Sequence, residues 1–394
     1  MTTRQPGELL YLDYAATTPV DREVAAAMAA LLTESGDFAN PSSGHVLGRR
    51  AARHIETAAV RLGALLGAAP ERLVWTSGAT ESDNLAIIGA ARARAHRGRH
   101  LVTMPTEHKA VTDAFGYLEK AGFEVTWLEP DRRGLLEIET LAAALREDTQ
   151  LVSVMHVNNE TGVIQDIAAI GGLCRERDVL YHVDAAQSVG KLPIDLSLLP
   201  VDLMSVTAHK FYGPKGVGAL YVADRPGCNV EPLFYGGGQQ RGLRPGTLPV
   251  HLIAGIGKAA EIAASRRASD LRGVAVLRDR LWAGIRDVEG LRVNGDLDGG
   301  YPGILNVSVG DIEGESLLLA LEPLCVATGS ACNSKTQEPS YVLRALGCSD
   351  AEAQSAIRFS IGRATTADDV DFAASRYREA VARLRALAPA RTAA

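Results

Sequence analysis

A chain of 394 residues is too long for one small core and sets an expectation of two or three domains at roughly 150 residues each. Hydrophobic residues at 46% and charged residues at 22% give an ordinary globular balance, and a net charge of −6 speaks against nucleic acid as the main ligand. The five cysteines (Cys174, Cys228, Cys325, Cys332 and Cys348) form no CxxC pair, which argues against a disulfide framework or a cysteine zinc site and for a reducing compartment.

The first eight residues are polar and lack an apolar signal core. No apolar run approaches the ~20 residues that span a bilayer, so a cytoplasmic location is expected. From about residue 55 to 225, short apolar runs alternate with helical patterns. Strands are expected at 73–76, 101–104, 124–128, 151–157, 180–183, 203–206 and 218–222, with helices at 81–94, 141–146 and 167–177 among them. That rhythm implies an α/β fold with a mostly parallel sheet covered on both faces. Ligands in such sheets gather at the carboxyl ends of the strands, where Thr80, His108, Asn159, Asp184 and Lys210 all fall. After Gly236-Gly237-Gly238 the pattern changes. Helices are expected at 251–264 and 268–287, then strands at 304–309, 325–328 and 357–361, and a last helix striped by Val370, Ala374, Tyr377, Val381 and Leu384. This reads as a second, smaller α+β domain.

Lys210 stands in Ser205-Val206-Thr207-Ala208-His209-Lys210-Phe211-Tyr212-Gly213-Pro214-Lys215-Gly216. It is either a solvated loop lysine or an amine leaving a buried strand, and the apolar run before it favours the second. Burial lowers an ammonium's pKa and supplies the neutral amine that forms a Schiff base with a carbonyl cofactor. Lys215, deeper in the loop, is the rival amine. Thr76-Ser77-Gly78-Ala79-Thr80-Glu81 reads as strand, glycine turn and helix start: a phosphate site made of backbone N–H groups and hydroxyls, or an ordinary N-cap. It is not a Walker A loop, because no GK[ST] follows. Asp184 ends an apolar strand and needs a partner, either a structural cation or a protonated pyridine nitrogen. His108 is suited to stacking on a flat ring or moving protons, and equally to a structural role. Asn159 offers a donor and an acceptor at a strand end, or a turn. Arg358, a charge among apolar neighbours, fits a bidentate carboxylate clamp or a core ion pair. The basic run Arg92, Arg94, Arg97 and Arg99 reads as the solvated end of a helix rather than a docking patch.

Cys332 lies in Thr328-Gly329-Ser330-Ala331-Cys332-Asn333-Ser334-Lys335, a run of small and polar residues unlike the apolar company of most free cysteines. The composition predicts an exposed thiol on a movable arm, reaching at most about 13 Å from Thr328. At an ordinary pKa about 3% is thiolate at pH 7, so a nearby cation such as Lys335 would assist.

Together these segments resemble the cysteine desulfurases of the class-V aminotransferase, fold-type I group. The likeness runs from Tyr11-Leu12-Asp13-Tyr14-Ala15-Ala16-Thr17-Thr18-Pro19 to about Leu387. Asn40-Pro41-Ser42-Ser43, Thr106-Glu107-His108-Lys109-Ala110-Val111, His156-Val157-Asn158-Asn159-Glu160-Thr161-Gly162 and Glu338-Pro339-Ser340-Tyr341-Val342-Leu343-Arg344 are most similar to the branch serving iron–sulfur cluster assembly. The resemblance implies a mostly parallel seven-stranded sheet and three parts: an N-terminal segment (1–17) packing on the small domain, a large domain (18–262) and a small domain (263–394) carrying the cysteine. It implies pyridoxal 5'-phosphate on Lys210, with Ala79, Thr80, Thr207 and His209 at the phosphate. Asp184 and Gln187 would meet the pyridine nitrogen and the phenolic oxygen, and His108 would stack on the ring and assist catalysis. Asn159 and Arg358 would bind substrate. Thr247 would reach the partner subunit's phosphate in a homodimer. Cys332 would be the nucleophile, turning L-cysteine into L-alanine and a persulfide for an iron–sulfur scaffold or sulfur carrier, or for thiolation. No resident metal, membrane or direct nucleic-acid partner is implied. Ala208 and Pro245 depart from the usual glycine and serine, the residues after Cys332 are unusually polar, and the stretch after Pro389 is shorter than the usual scaffold-docking tail.

The neighbouring alternatives are a selenocysteine lyase or an aminotransferase of this fold; transamination needs no thiol, and the Cys332 segment resembles the longer form. A catalytically idle docking protein is the alternative of a different class, and Lys210, Asp184, His108 and Cys332 together argue against it.

Overall fold

The structure, a computed structural model, describes residues 8–328 and 338–387. It begins with a short strand, β1 (Leu10–Tyr11). Seven strands then build the main sheet: β2 (Leu73–Thr76), β3 (His100–Thr103), β4 (Glu124–Trp127), β5 (Thr149–Ser153), β6 (Leu180–Asp184), β7 (Leu203–Thr207) and β8 (Gly218–Val222). Their order is β2-β8-β7-β6-β5-β3-β4. Only β8 runs against its neighbours, so the sheet is mostly parallel. β2, β3, β5, β6 and β7 are buried along their whole length, as expected of a sheet covered on both faces. One core packs Trp75, Val102, Met104, Tyr181, Met204 and Phe211 on one face. The other face takes Val74, Leu101, Leu151 and Leu180 under the Ala79–Ala93 and Lys109–Lys120 helices.

Helix Val250–Ile285 then leads to β9 (Leu291–Val293), β10 (Ile304–Val309), β11 (Leu324–Cys325), β12 (Ala327–Thr328) and β13 (Ile357–Ser360). β12-β13-β10-β9 form an antiparallel sheet with a separate core that includes Leu281, Leu305, Phe359 and Tyr377. Leu10 and Leu12 belong to this core, and β1 pairs in parallel with β11. Two helices were expected over 251–287, and the structure has one of 36 residues. Ala264-Ser265-Arg266-Arg267-Ala268 contains neither proline nor glycine, so nothing breaks it. The Val46–Leu66 helix, capped by His45 and ended by left-handed Gly67, was not anticipated.

Candidate active site

Six strands of one direction end on one edge of the sheet, and the segments that follow five of them (β2, β3, β5, β6 and β7) wall a cavity of about 550 Å3. Ala79, Thr80, His108, Asn159, Asp184, Gln187, Thr207, His209, Lys210 and Arg358 all line it. Residues as far apart in sequence as 79 and 358 therefore meet around one space. Lys215 lies exposed at the rim, whereas Lys210 is half-buried. Thr247 is exposed and does not line this cavity. Cys332 lies outside the described residues. The N-terminal residues Ala15 and Thr17 also form wall, which the residue-by-residue reading did not assign.

The β2 end is shaped by Gly78, whose φ of 154° and ψ of −176° suit glycine alone. A methyl group there would stand 3.6 Å from Thr207 Oγ1, and one on Gly218 would collide with the Gly78 Cα at 2.7 Å. The turn thus lies flat against the sheet. It opens the Ala79–Ala93 helix, and Gly78 has no side chain with which to cap the first N–H groups. A helix start of that kind is a ready anion site.

At the β6 end, Asp184 is buried and accepts the Ala186 N–H at 2.8 Å. Burial pushes its carboxyl up, against the pull of His108, the Ala186 N–H and Lys210. Setting a cation against it restores the charged form. His108 caps the Lys109–Lys120 helix by accepting the Ala110 N–H on Nδ1 at 3.1 Å. Burial lowers its pKa, so the ring is neutral and carries its proton on Nε2. Lys210 Nζ donates to the Ala15 carbonyl. His209 joins Thr17 Oγ1 through Nδ1 at 3.0 Å, and burial with the Lys210 charge holds its pKa down to about 4.

Arg358 is buried, with Nη1 on the Asn159 carbonyl and Nη2 on Asp13 Oδ1, both at 2.7 Å. Its Nε and the Asn159 Oδ1 are buried polar atoms without a partner among the described residues. Both readings of Arg358 thus have substance: it is an ion-pair partner that also offers an unused donor beside an unused acceptor. The chain enters 329–337 from Thr328, which pairs with Ile357 beside Arg358. After that segment, Ser340 Oγ donates to Glu160 Oε2 at 2.6 Å and Tyr341 OH to the Glu107 carbonyl at 2.8 Å. Both flanks of the cysteine segment are therefore tied next to cavity residues.

Beneath the cavity, Asp83 is fully buried, 3.6 Å from His182 Nε2. This is not an ion pair. Burial drives His182 down to about 3, and burial with the Asp184 charge pushes Asp83 well up, so both are neutral. The folded chain then holds the Asp83 proton more tightly than the unfolded chain does. That contribution is full below the ordinary carboxylate range near 4 and is lost as pH rises above it. Asp83→Asn is expected to stabilise the protein at pH 8 by on the order of 1 kcal/mol and to change little at pH 4. Thermal unfolding at the two pH values checks this, and an equal gain at both would remove Asp83 as the titrating group.

The aminotransferase class-V family model matches residues 10–372. The cysteine desulfurase IscS of Serratia proteamaculans is 55% identical over 381 residues, covering 96% of this chain and 94% of that protein. The chain belongs to the cysteine desulfurases of the class-V aminotransferase family. A solved NifS-like protein superposes with a TM-score of 0.89 at 36% identity, covering 96% of this chain and all of the other. SspA in complex with cysteine superposes at 0.80 and 38% identity, covering 90% and 99%. Members of the family depend on pyridoxal phosphate. The residues present fit that cofactor: one cavity offers a glycine-lined helix start suited to a phosphate, a buried carboxyl suited to a ring cation, a neutral histidine and an amine. Among the described residues no helix is long and apolar enough to cross a membrane.

Proposed function

We propose that this chain converts L-cysteine to L-alanine and leaves the released sulfur as a persulfide on Cys332. The observation that carries this reading is the convergence of Lys210, His108, Asp184 and the Asn159–Arg358 pair on one cavity, with the flanks of the Cys332 segment tied beside it. Bound there, pyridoxal phosphate supplies an aldehyde for amines and a ring that draws electrons from the substrate's α-carbon. Lys210 would hold the cofactor through its amine and carry protons. Asp184 would keep a ring cation charged, Ala79, Thr80, Thr207 and His209 would hold the phosphate, and Gln187 would meet the phenolic oxygen. His108 would lie against the ring, with its Nε2 proton available for transfer. Arg358 and Asn159 orient the substrate carboxylate. The Cys332 thiolate attacks the sulfur of bound cysteine. A sulfur–sulfur bond forms as the Cβ–S bond breaks, the electron pair leaves with carbon, and a proton completes the methyl of alanine.

Incubation of the purified holoenzyme with L-cysteine tests this, with alanine quantified and persulfide mapped by mass spectrometry. Alanine formed together with one added sulfur on Cys332 is the expected result, and alanine without a Cys332 persulfide overturns it. Arg358→Ala is expected to raise KM for L-cysteine about tenfold or more with a smaller change in kcat, since a charged hydrogen bond to a carboxylate is lost. An unchanged KM would leave Arg358 as the ion-pair partner of Asp13 alone.

Two parts of the reading concern partners. The acceptor is an iron–sulfur scaffold or a sulfur carrier, through which sulfur reaches clusters or thiolated molecules. The chain works as a homodimer in which Thr247 serves the partner subunit's phosphate. Its exposure away from its own cavity supports this, as do the exposed apolar side chains of Phe38, Val46 and Tyr235. We also divide the chain at 17 and 262, following the two cores, with the cysteine segment on the smaller part.

A further inference from the structure

Gln187 lines the cavity from the turn that follows β6, and both ends of its amide are engaged. Nε2 donates to the Ala15 carbonyl at 2.7 Å, and Oε1 accepts from Lys191 Nζ at 2.8 Å. A primary amide nitrogen carries two N–H groups and its oxygen carries none. With the oxygen held by Lys191, a second N–H is the donor that this side chain can turn toward the cavity. Rotating the amide by half a turn would set its oxygen against the Ala15 carbonyl and, while Lys191 is charged, its NH2 against an ammonium, losing both bonds. The Ala15 carbonyl is shared, since it also accepts from Lys210, and Lys191 adds a second and separate hold on the amide's orientation. Lys191 is itself held, with Nζ 5.4 Å from the centre of the Tyr301 ring.

We propose that Lys191 is a positioning residue that locks Gln187 with its N–H, rather than its carbonyl, presented to the phenolic oxygen of the cofactor. This rests on the reading of Gln187 as the group that meets that oxygen. Lys191 touches neither substrate nor cofactor in this role and acts through the amide. Burial, with the nearby charges of Lys210 and Arg358, brings its own pKa down to about 7, in keeping with an amine enclosed by the site's wall.

The test uses the purified holoenzyme and reads the pH midpoint of the cofactor's visible absorption band, which a merely structural role would not move. Gln187→Ala, Lys191→Met and the double variant are compared with the parent. Lys191→Met is expected to move the midpoint by about half a pH unit or more, in the direction that Gln187→Ala moves it. In the Gln187→Ala background it should add nothing, because the group it acts through has gone. Lys191→Ala is read the same way should the methionine variant not fold. A midpoint unmoved by either Lys191 variant, while Gln187→Ala moves it, overturns the proposal. So does an equal shift by Lys191→Met in both backgrounds, which would mean direct action of the charge. If Gln187→Ala leaves the midpoint in place, the underlying assignment of Gln187 falls instead, and the proposal with it.

Discussion

Lys210→Ala is expected to yield a folded but colourless protein, with desulfurase activity reduced by about a thousandfold or more. The loss is large because one amine has two tasks there, attaching the cofactor and carrying protons, and alanine does neither. The fold should survive. Lys210 lies half-buried in a short helical turn after β7, outside the apolar core, and its amine donates to the Ala15 carbonyl. An absorption spectrum after dialysis against pyridoxal phosphate, with circular dichroism for the fold, decides the matter. A visible band that borohydride bleaches while leaving the cofactor covalently attached would move the attachment to Lys215, the exposed amine at the cavity rim.

Cys332→Ser separates the second half of the chemistry from the first. The variant should bind the cofactor with unaltered colour, yet release sulfide from L-cysteine at least about a hundredfold more slowly in the presence of reductant. A hydroxyl near pH 7 is a far weaker nucleophile toward sulfur than a thiol that is a few per cent ionised. Three of the other four cysteines offer no substitute. Cys174 and Cys228 are buried, and burial pushes both thiols up to about 12. Cys348 is buried too, with its thiol raised for the same reason. Normal turnover by the serine variant would show that Cys332 is not the nucleophile.

The main sheet was legible because its strands are short Val/Leu-rich runs bounded by turn residues, and 73–76 and 218–222 appear as β2 and β8 without a shift. The run 151–157 misleads in an informative way. β5 stops at Ser153, and the apolar residues after it continue as cavity wall, where Met155 and Val157 face the site. Apolar character there marks a ligand surface, which periodicity cannot distinguish from strand. The Val46–Leu66 helix does carry a buried stripe, of Ala51, Ala58, Leu62, Leu65 and Leu66, but its first half relies on alanine, a weaker apolar signal than leucine. Site residues following strand ends were visible from local pattern alone. Ala15, Thr17 and Lys191 were not, because their importance rests on partners that sequence proximity does not disclose. The Tyr11–Pro19 stretch stood out only through family likeness. The Arg358–Asp13 pair, 345 positions apart, is of the same kind.

That distance has a consequence for how the protein is born. Asp13 is held by Arg358, the Ala15 N–H by Ser360 Oγ at 2.9 Å, and Leu12 by the backbone of Cys325 and Ser360. During translation the amino terminus leaves the ribosome first, yet its docking strand emerges near the end of synthesis. The wall containing Ala15 and Thr17 can rest on Gln187, His209 and Lys210 of the early-made sheet, but its ties to Arg358 and Ser360 form only once residue 360 has cleared the exit tunnel. A nascent or prematurely terminated polypeptide would therefore lack the Arg358 side of the vitamin pocket until that late strand is made.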